Sequence, residues 1–400
     1  MFQSKRHTAV CHLTGMVAMR FASCLQNPLS VIYQWLFISL AVFVAESAGA
    51  QGLSRSNARF LGVQSCSSSS CHGGAKTNFD QVLVWTRRDF HTRSYATLTT
   101  ARSARLSESL QITNAIQSTR CTSCHAPFYE IHSASIAGPV QAIDGVSCES
   151  CHGPAEPWIR THTRLDLTHE EKVAAGMRDL RNFYIRANTC VACHQNVEPE
   201  LLKAGHPELI FELDGQTVTE PRHWRERRDD YGPALWLTGQ AVALREMSWT
   251  LAQQKEPLER EIERWAALRW LLTGFGLQAT ASGEQILRGN FTETQRLADR
   301  LAREAANSTW SVERTSKELT RLAGVYPGFR DTKIPKPIQA RRAERLVLAL
   351  DRLLTALPVA NPTANANKEL DDLFRSVQSL PDFEPSVFAE RLAEFERRIR

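Results

Sequence analysis

Eight cysteines between Cys66 and Cys193 fall into four pairs, and a histidine directly follows each pair. Three pairs have the spacing Cys-x-x-Cys-His: Cys121, Cys124 and His125; Cys148, Cys151 and His152; Cys190, Cys193 and His194. The fourth, Cys66, Cys71 and His72, is wider, with four serines between its thiols. Two thiols at this spacing add across the two vinyl groups of a haem, and a histidine in the next place meets the iron from one side. Disulfides are the first competing chemistry, since exported chains with an even cysteine count commonly form them, but a disulfide has no use for a following histidine. Zinc is the second, because paired cysteines near histidines are also tetrahedral ligands, although such sites favour cytosolic or nuclear chains. The pattern therefore predicts four covalently attached haems c, with His72, His125, His152 and His194 as proximal ligands. In the wider pair the small serines must loop outward to keep the thiols at vinyl spacing.

Each iron then takes a sixth ligand or keeps an open position, and that choice separates carriers from catalysts. After the first fifty residues the remaining histidines are His91, His132, His162, His169, His206 and His223, and the methionines are Met177 and Met247. Histidine on both sides is the expectation for most sites, which implies low potentials because the methionine that raises cytochrome c potentials is missing. His91 closes the run Val84-Trp85-Thr86-Arg87-Arg88-Asp89-Phe90-His91, whose aromatics suit a haem face. His132 follows His125 by seven residues, His162 follows His152 by ten, and His206 sits in the stiff turn Ala204-Gly205-His206-Pro207. These four are the expected distal ligands. His169, before Glu170-Glu171-Lys172, reads as a solvated face, and His223, among Arg222, Arg225, Arg227 and Arg228, suits a haem propionate equally well; both are reserves.

The elements that position these residues divide the 400-residue chain into three stretches. Residues 1–50 read as a signal peptide: Lys5, Arg6 and Arg20 precede an apolar run from Val31 to Ala45, and Ala48-Gly49-Ala50 offers a cleavage site. The run is short of the ~20 residues a membrane-spanning helix needs, which leaves a retained anchor as the runner-up. Export predicts a periplasmic protein. Residues 51–230 carry every haem signature, and from Tyr231 onward there is neither cysteine nor histidine. The expected fold is mostly α, a multihaem cytochrome c domain with little regular sheet followed by an all-α helical bundle over residues 231–400. Helical apolar spacing marks Leu235 to Met247 after Pro233, Leu258 to Leu272 after Pro257, Leu297 to Ala305 after a Thr292 cap, and Leu346 to Leu357 before Pro358. A four-helix arrangement is expected from these, with a last amphipathic helix ending in Arg397, Arg398 and Arg400. The net charge of +5 is spread along the chain, which argues against nucleic acid. No nucleotide loop or catalytic-triad pattern occurs.

The sequence resembles the tetrahaem cytochrome c-554 family, electron acceptors of hydroxylamine oxidoreductase, over about residues 60–225. The resemblance rests on Trp85 and His91 after the first signature, and on the run Gly145-Val146-Ser147-Cys148-Glu149-Ser150-Cys151-His152-Gly153-Pro154 with His162 behind it. It implies a compact helical fold with haems stacked in pairs, and distal ligation by His91 and His162 of neighbouring haems. Three features depart from the family: the wider Cys66 to Cys71 pair; His132, in a stretch without a family ligand, which could close the position the family leaves five-coordinate; and the run from Ala204, which resembles a broader set of multihaem cytochromes.

A carrier moving electrons between redox partner proteins is the first functional expectation, with a membrane-associated donor or acceptor among the candidate partners. A multihaem oxidoreductase acting on a small nitrogen or sulfur compound at a five-coordinate haem is the alternative, with Arg93, Tyr95 or Arg222 as pocket residues. A third reading has the helical domain bind an enzyme while the haems act as an internal wire.

Overall fold

Buried apolar residues are sparse over residues 58–224 and dense from residue 232 onward, and the helices follow that difference. The computed structural model describes residues 58–224, 232–277, 290–361, 365–377 and 382–400. The expected signal peptide lies outside the described residues. Sixteen α-helices occur among them, and the sole pairing of extended backbone is one bridge between Phe60 and Ile136.

The helices of the cysteine-bearing half are short: α1 (Gln81–Arg88), α2 (Ser94–Thr97), α3 (Ala101–Ser109), α4 (Thr119–His125), α5 (Cys148–His152), α6 (His169–Ala174), α7 (Phe183–His194), α8 (Pro199–Lys203) and α9 (Leu213–Thr219). Isolated helices below ~12–15 residues are marginal in water, so this half needs stabilisation from outside its own helical bonding. Helix α1 buries none of its residues, and α4 buries only Thr122.

The second half supplies a conventional core. Helix α10 (Pro233–Gln253) is buried on nearly every side, as a central helix must be. Around it or beyond it lie α11 (Glu259–Thr273), α12 (Phe291–Ala306), α13 (Val312–Ala323), α14 (Lys336–Thr355), α15 (Asn367–Ser376) and α16 (Pro385–Ile399). Helix α12 packs along α10, α14 packs on α11 and α13, and α16 covers the turn Tyr326–Arg330. Trp265 donates its indole N–H to Ser248 Oγ at 2.8 Å, which satisfies a fully buried tryptophan. Seven helices, rather than the expected four and a last amphipathic one, therefore build this half among the described residues. Helix α13 buries only Leu319, Leu322 and Ala323 as apolar contacts, too sparse a stripe to stand out in sequence. The cap of α12 is Asn290, whose side chain accepts from Glu293 N, rather than Thr292.

The described residues on the two sides of 225–231 pack together. Residues Ala58–Arg400 form a single unit, and one hydrophobic core includes Ala187, Val191, Phe211 and Leu213 together with the bundle. Helix α7, which ends in the fourth signature, packs on α10. Gly239 on α10 has to be a glycine, because a Cβ there would come within 2.6 Å of the Leu213 side chain. The connecting segment 206–219 is held by charge as well: Arg264 on α11 pairs with Glu208 and donates to the Leu209 carbonyl at 3.2 Å. Arg345 and Gln240 hold Glu212, and Arg352 pairs with Asp214.

Candidate haem-binding site

The third signature starts a five-residue helix whose N-terminus is closed by a reciprocal capping box between Ser147 and Ser150. Its second residue, Glu149, is 3% exposed and turns inward. Its carboxylate accepts the backbone N–H groups of Gly62 and Ala155, each at 2.7 Å, and of Leu61 at 3.0 Å. A buried carboxylate is stable only when so satisfied. The effect is to pin the approach to Cys66 against the third signature. At the other end Arg178 donates to the carbonyls of Ser150 and Cys151.

The first signature is a turn. Ser67 to Ser70 are all exposed, so the serines do loop outward, and His72 N donates back to the Cys66 carbonyl at 3.2 Å. The loop folds onto the backbone behind it so closely that a Cβ on Gly73 would meet the Ser67 carbonyl.

The His91 turn is fastened to two signatures through Ser94. Its hydroxyl donates to the carbonyls of His91 and His125 and accepts from Val146 N, while Trp85 Nε1 donates to the Val146 carbonyl at 3.1 Å. Gly145 lets the third signature come this close, since its φ is +62° and a Cβ would lie 2.5 Å from Ser94 Oγ. Nothing in the sequence singles out Ser94 or Glu149, because a lone serine and a variable signature position have no pattern of their own.

Every signature histidine faces a second histidine. Ring centroids lie 6.1 Å apart for His72 and His162, 5.9 Å for His91 and His194, 6.5 Å for His125 and His206, and 6.5 Å for His152 and His223. The first pair is close to parallel at 19°, and the others are crossed at 89°, 70° and 76°. The structure thus brings the expected His91, His162 and His206 to signature histidines. It does not do so for His132, which is exposed and whose Nδ1 accepts from Ala134 N at 3.2 Å. The reserve His223 stands opposite His152 instead, because the segment that follows α9 returns over the third signature. His169 pairs with Asp179 at 2.8 Å. Met247 belongs to the bundle core.

Burial favours the neutral imidazole at four of these histidines, as metal ligation requires. It lowers the pKa of His125, His162 and His194, and takes His152 to about 4, with the charges of His223 and His72 adding to the effect. His91 is the opposite case. A hydrogen bond to Asp89, then one to Glu220, raises it to about 10. Burial opposes ionisation of Asp89, but its bonds with His91 and Glu220 outweigh that and hold it below the usual range. Burial pushes Glu220 up.

The thiols join the signatures in pairs. The Cys66 thiol lies beside Cys148, and the Cys124 thiol beside Cys193, so the first signature meets the third and the second meets the fourth. All four open on one cavity of about 2360 Å³. A site for one small ligand is ~300–1,000 Å³, so this cavity has room for several. Haem fits the donor set: two metal–imidazole bonds of roughly 2 Å, plus the depth of each ring, set the centroids about 6 Å apart. His162 Nδ1 is moreover buried with no hydrogen-bond partner.

Residues 65–153 match the family described as cytochrome c554 and c-prime. Over that segment the chain is similar to c554-type cytochromes. No curated protein and no solved structure matches the chain. The c554 segment contains the first three signatures and His91, whereas the fourth signature and three of the facing histidines, His162, His206 and His223, lie beyond it. The match supports a c-type cytochrome role in electron transfer and implies covalently bound haem c.

Proposed function

We propose that this chain is an exported, periplasmic electron carrier that holds four haems c, each between two histidines, and passes electrons between redox partner proteins. The observation that carries the reading is the set of four facing pairs, His72 with His162, His194 with His91, His125 with His206 and His152 with His223. These eight histidines would hold each iron from both sides and would leave no position for a substrate.

Haem supplies the one-electron iron couple, and the protein does the rest. Cys66, Cys71, Cys121, Cys124, Cys148, Cys151, Cys190 and Cys193 tether the four groups. His72, His125, His152 and His194 bind from one face and the four facing histidines from the other. The nearness of Cys66 to Cys148 and of Cys124 to Cys193 would set the tethers of neighbouring groups side by side. Export is supported by the apolar run from Val31 to Ala45. None of the described helices is long and apolar enough to cross a membrane.

Pyridine haemochrome analysis of the mature protein tests the count, with four haems expected per chain. Three would remove the wide Cys66 pair from the reading. A high-spin ferric fraction near one quarter in the untreated oxidised protein would show an open iron and favour an oxidoreductase.

A further inference from the structure

We propose that Asp89 and Glu220 are positioning residues for His91 that make the haem of the fourth signature the hardest of the four to reduce. The inference rests on the preceding reading, in which His91 and His194 are the axial ligands of that haem. His91 Nδ1 lies 3.0 Å from Asp89 Oδ1 and 3.4 Å from Glu220 Oε2, which leaves Nε2 as the nitrogen for iron. Asp89 is 4% exposed and caps the turn Phe90–Arg93, where its side chain also accepts the His91 backbone N–H at 2.9 Å. One carboxylate therefore fixes both the main chain and the ring of the same residue. Glu220 comes from a distant part of the sequence, at the C-terminal end of α9.

The other facing pairs have neutral acceptors. His72 Nδ1 meets Gln81 Oε1 at 2.9 Å, and the Nδ1 atoms of His125, His206 and His223 meet the carbonyls of Ser94, Pro207 and Pro221 at 3.2, 2.8 and 3.1 Å. Among the described residues, His91 is the one paired histidine with a carboxylate on its ring.

Two effects then act in the same direction. A carboxylate that accepts the Nδ1–H draws the proton towards itself and makes the ring a more basic ligand, which favours ferric over ferrous iron. A buried negative charge beside the ring stabilises the extra positive charge of the ferric state, and low dielectric strengthens that attraction. Amide and carbonyl acceptors provide the first effect weakly and lack the second. In a reductive titration with dithionite, each ferric iron takes one electron as dithionite is oxidised, and the fourth-signature haem fills last.

The test is a potentiometric titration of the haem-loaded protein at fixed pH, followed by visible and electron paramagnetic resonance spectra, for Asp89→Asn, Glu220→Gln and Asp89→Glu. Asp89→Asn is expected to shift the lowest midpoint upward by a tenfold change in its reduction constant, 59 mV for one electron. Glu220→Gln should give a smaller shift of the same sign, with the other three potentials in place, and Asp89→Glu should return part of the shift. A lowest potential that stays put in both neutral variants overturns the inference, as does an equal shift of all four, which would report general loosening. If Asp89→Asn does not fold, Glu220→Gln decides alone. His91→Ala separates the two levels: without new high-spin iron the axial assignment itself fails, whereas high-spin iron with unmoved potentials in the carboxylate variants sinks only the present inference.

Discussion

Replacing His223 by alanine distinguishes the tertiary arrangement from any order read along the chain. His223 faces His152 at 6.5 Å, and its Nδ1 is steadied by the Pro221 carbonyl at 3.1 Å. Without its imidazole, one iron in the set of four loses its sixth ligand, so a quarter of the iron should turn high-spin. The identity of the lost low-spin signal is also determined. When two axial imidazole planes are parallel, they split the iron π-type d orbitals and give an ordinary rhombic spectrum. When the planes cross, those orbitals stay nearly degenerate and the signal becomes strongly anisotropic. The four angles of 19°, 89°, 70° and 76° therefore predict one rhombic and three anisotropic signals in the intact protein. His223→Ala should remove one of the three, whereas His162→Ala should remove the rhombic one. Low-temperature electron paramagnetic resonance with spin quantitation reads both. His132→Ala should leave every iron low-spin, because its ring lies at the surface beside Ala134. High-spin iron in His132→Ala but not in His223→Ala would refute the assignment.

Glu149→Gln should destabilise the fold by about 2–4 kcal/mol in chemical denaturation, because charge-assisted bonds to the Leu61, Gly62 and Ala155 amides are lost from a buried group. Arg345→Ala should cost about 2 kcal/mol, below the ~3–5 of a fully buried pair since Glu212 keeps some solvent contact, and calorimetry of the haem-loaded protein measures it. Bonds from Tyr184, Arg245 and Arg303 outweigh the burial of Asp299 and depress its pKa, so its contribution is present above the unfolded value of ~3.9 and disappears as pH falls through the lower folded one. Asp299→Asn should accordingly flatten the acid limb of the stability curve below about pH 4, and a limb unchanged in circular dichroism would contradict this.

Covalent chemistry is local, and that is why so much of the site was readable in the sequence. The spacing of each cysteine pair and its following histidine specifies a haem tether within a few residues, whatever the rest of the chain does. Helical periodicity was equally local, so the bundle helices around Leu235, Trp265 and Leu350 were visible, while α13 was not because its apolar stripe is thin. The second ligand is different in kind. A facing histidine has to cross space, and its separation along the chain carries no information about that distance. His132 is seven residues from His125 and points to solvent, while His206, eighty-one residues away, faces it.

The choice between His132 and His223 was made by the packing of residues 199–224. Arg264, Arg345 and Arg352 of the bundle grip Glu208, Glu212 and Asp214, and so hold the stretch that carries His206, Glu220 and His223 over the cavity. The sequence by itself determined where haem would be tethered and that the fold is helical, because both depend on neighbours in the chain. Which histidine closes each site, and which ring receives a carboxylate, was decided only when the haemless half folded, because those contacts join residues that tertiary packing alone brings together.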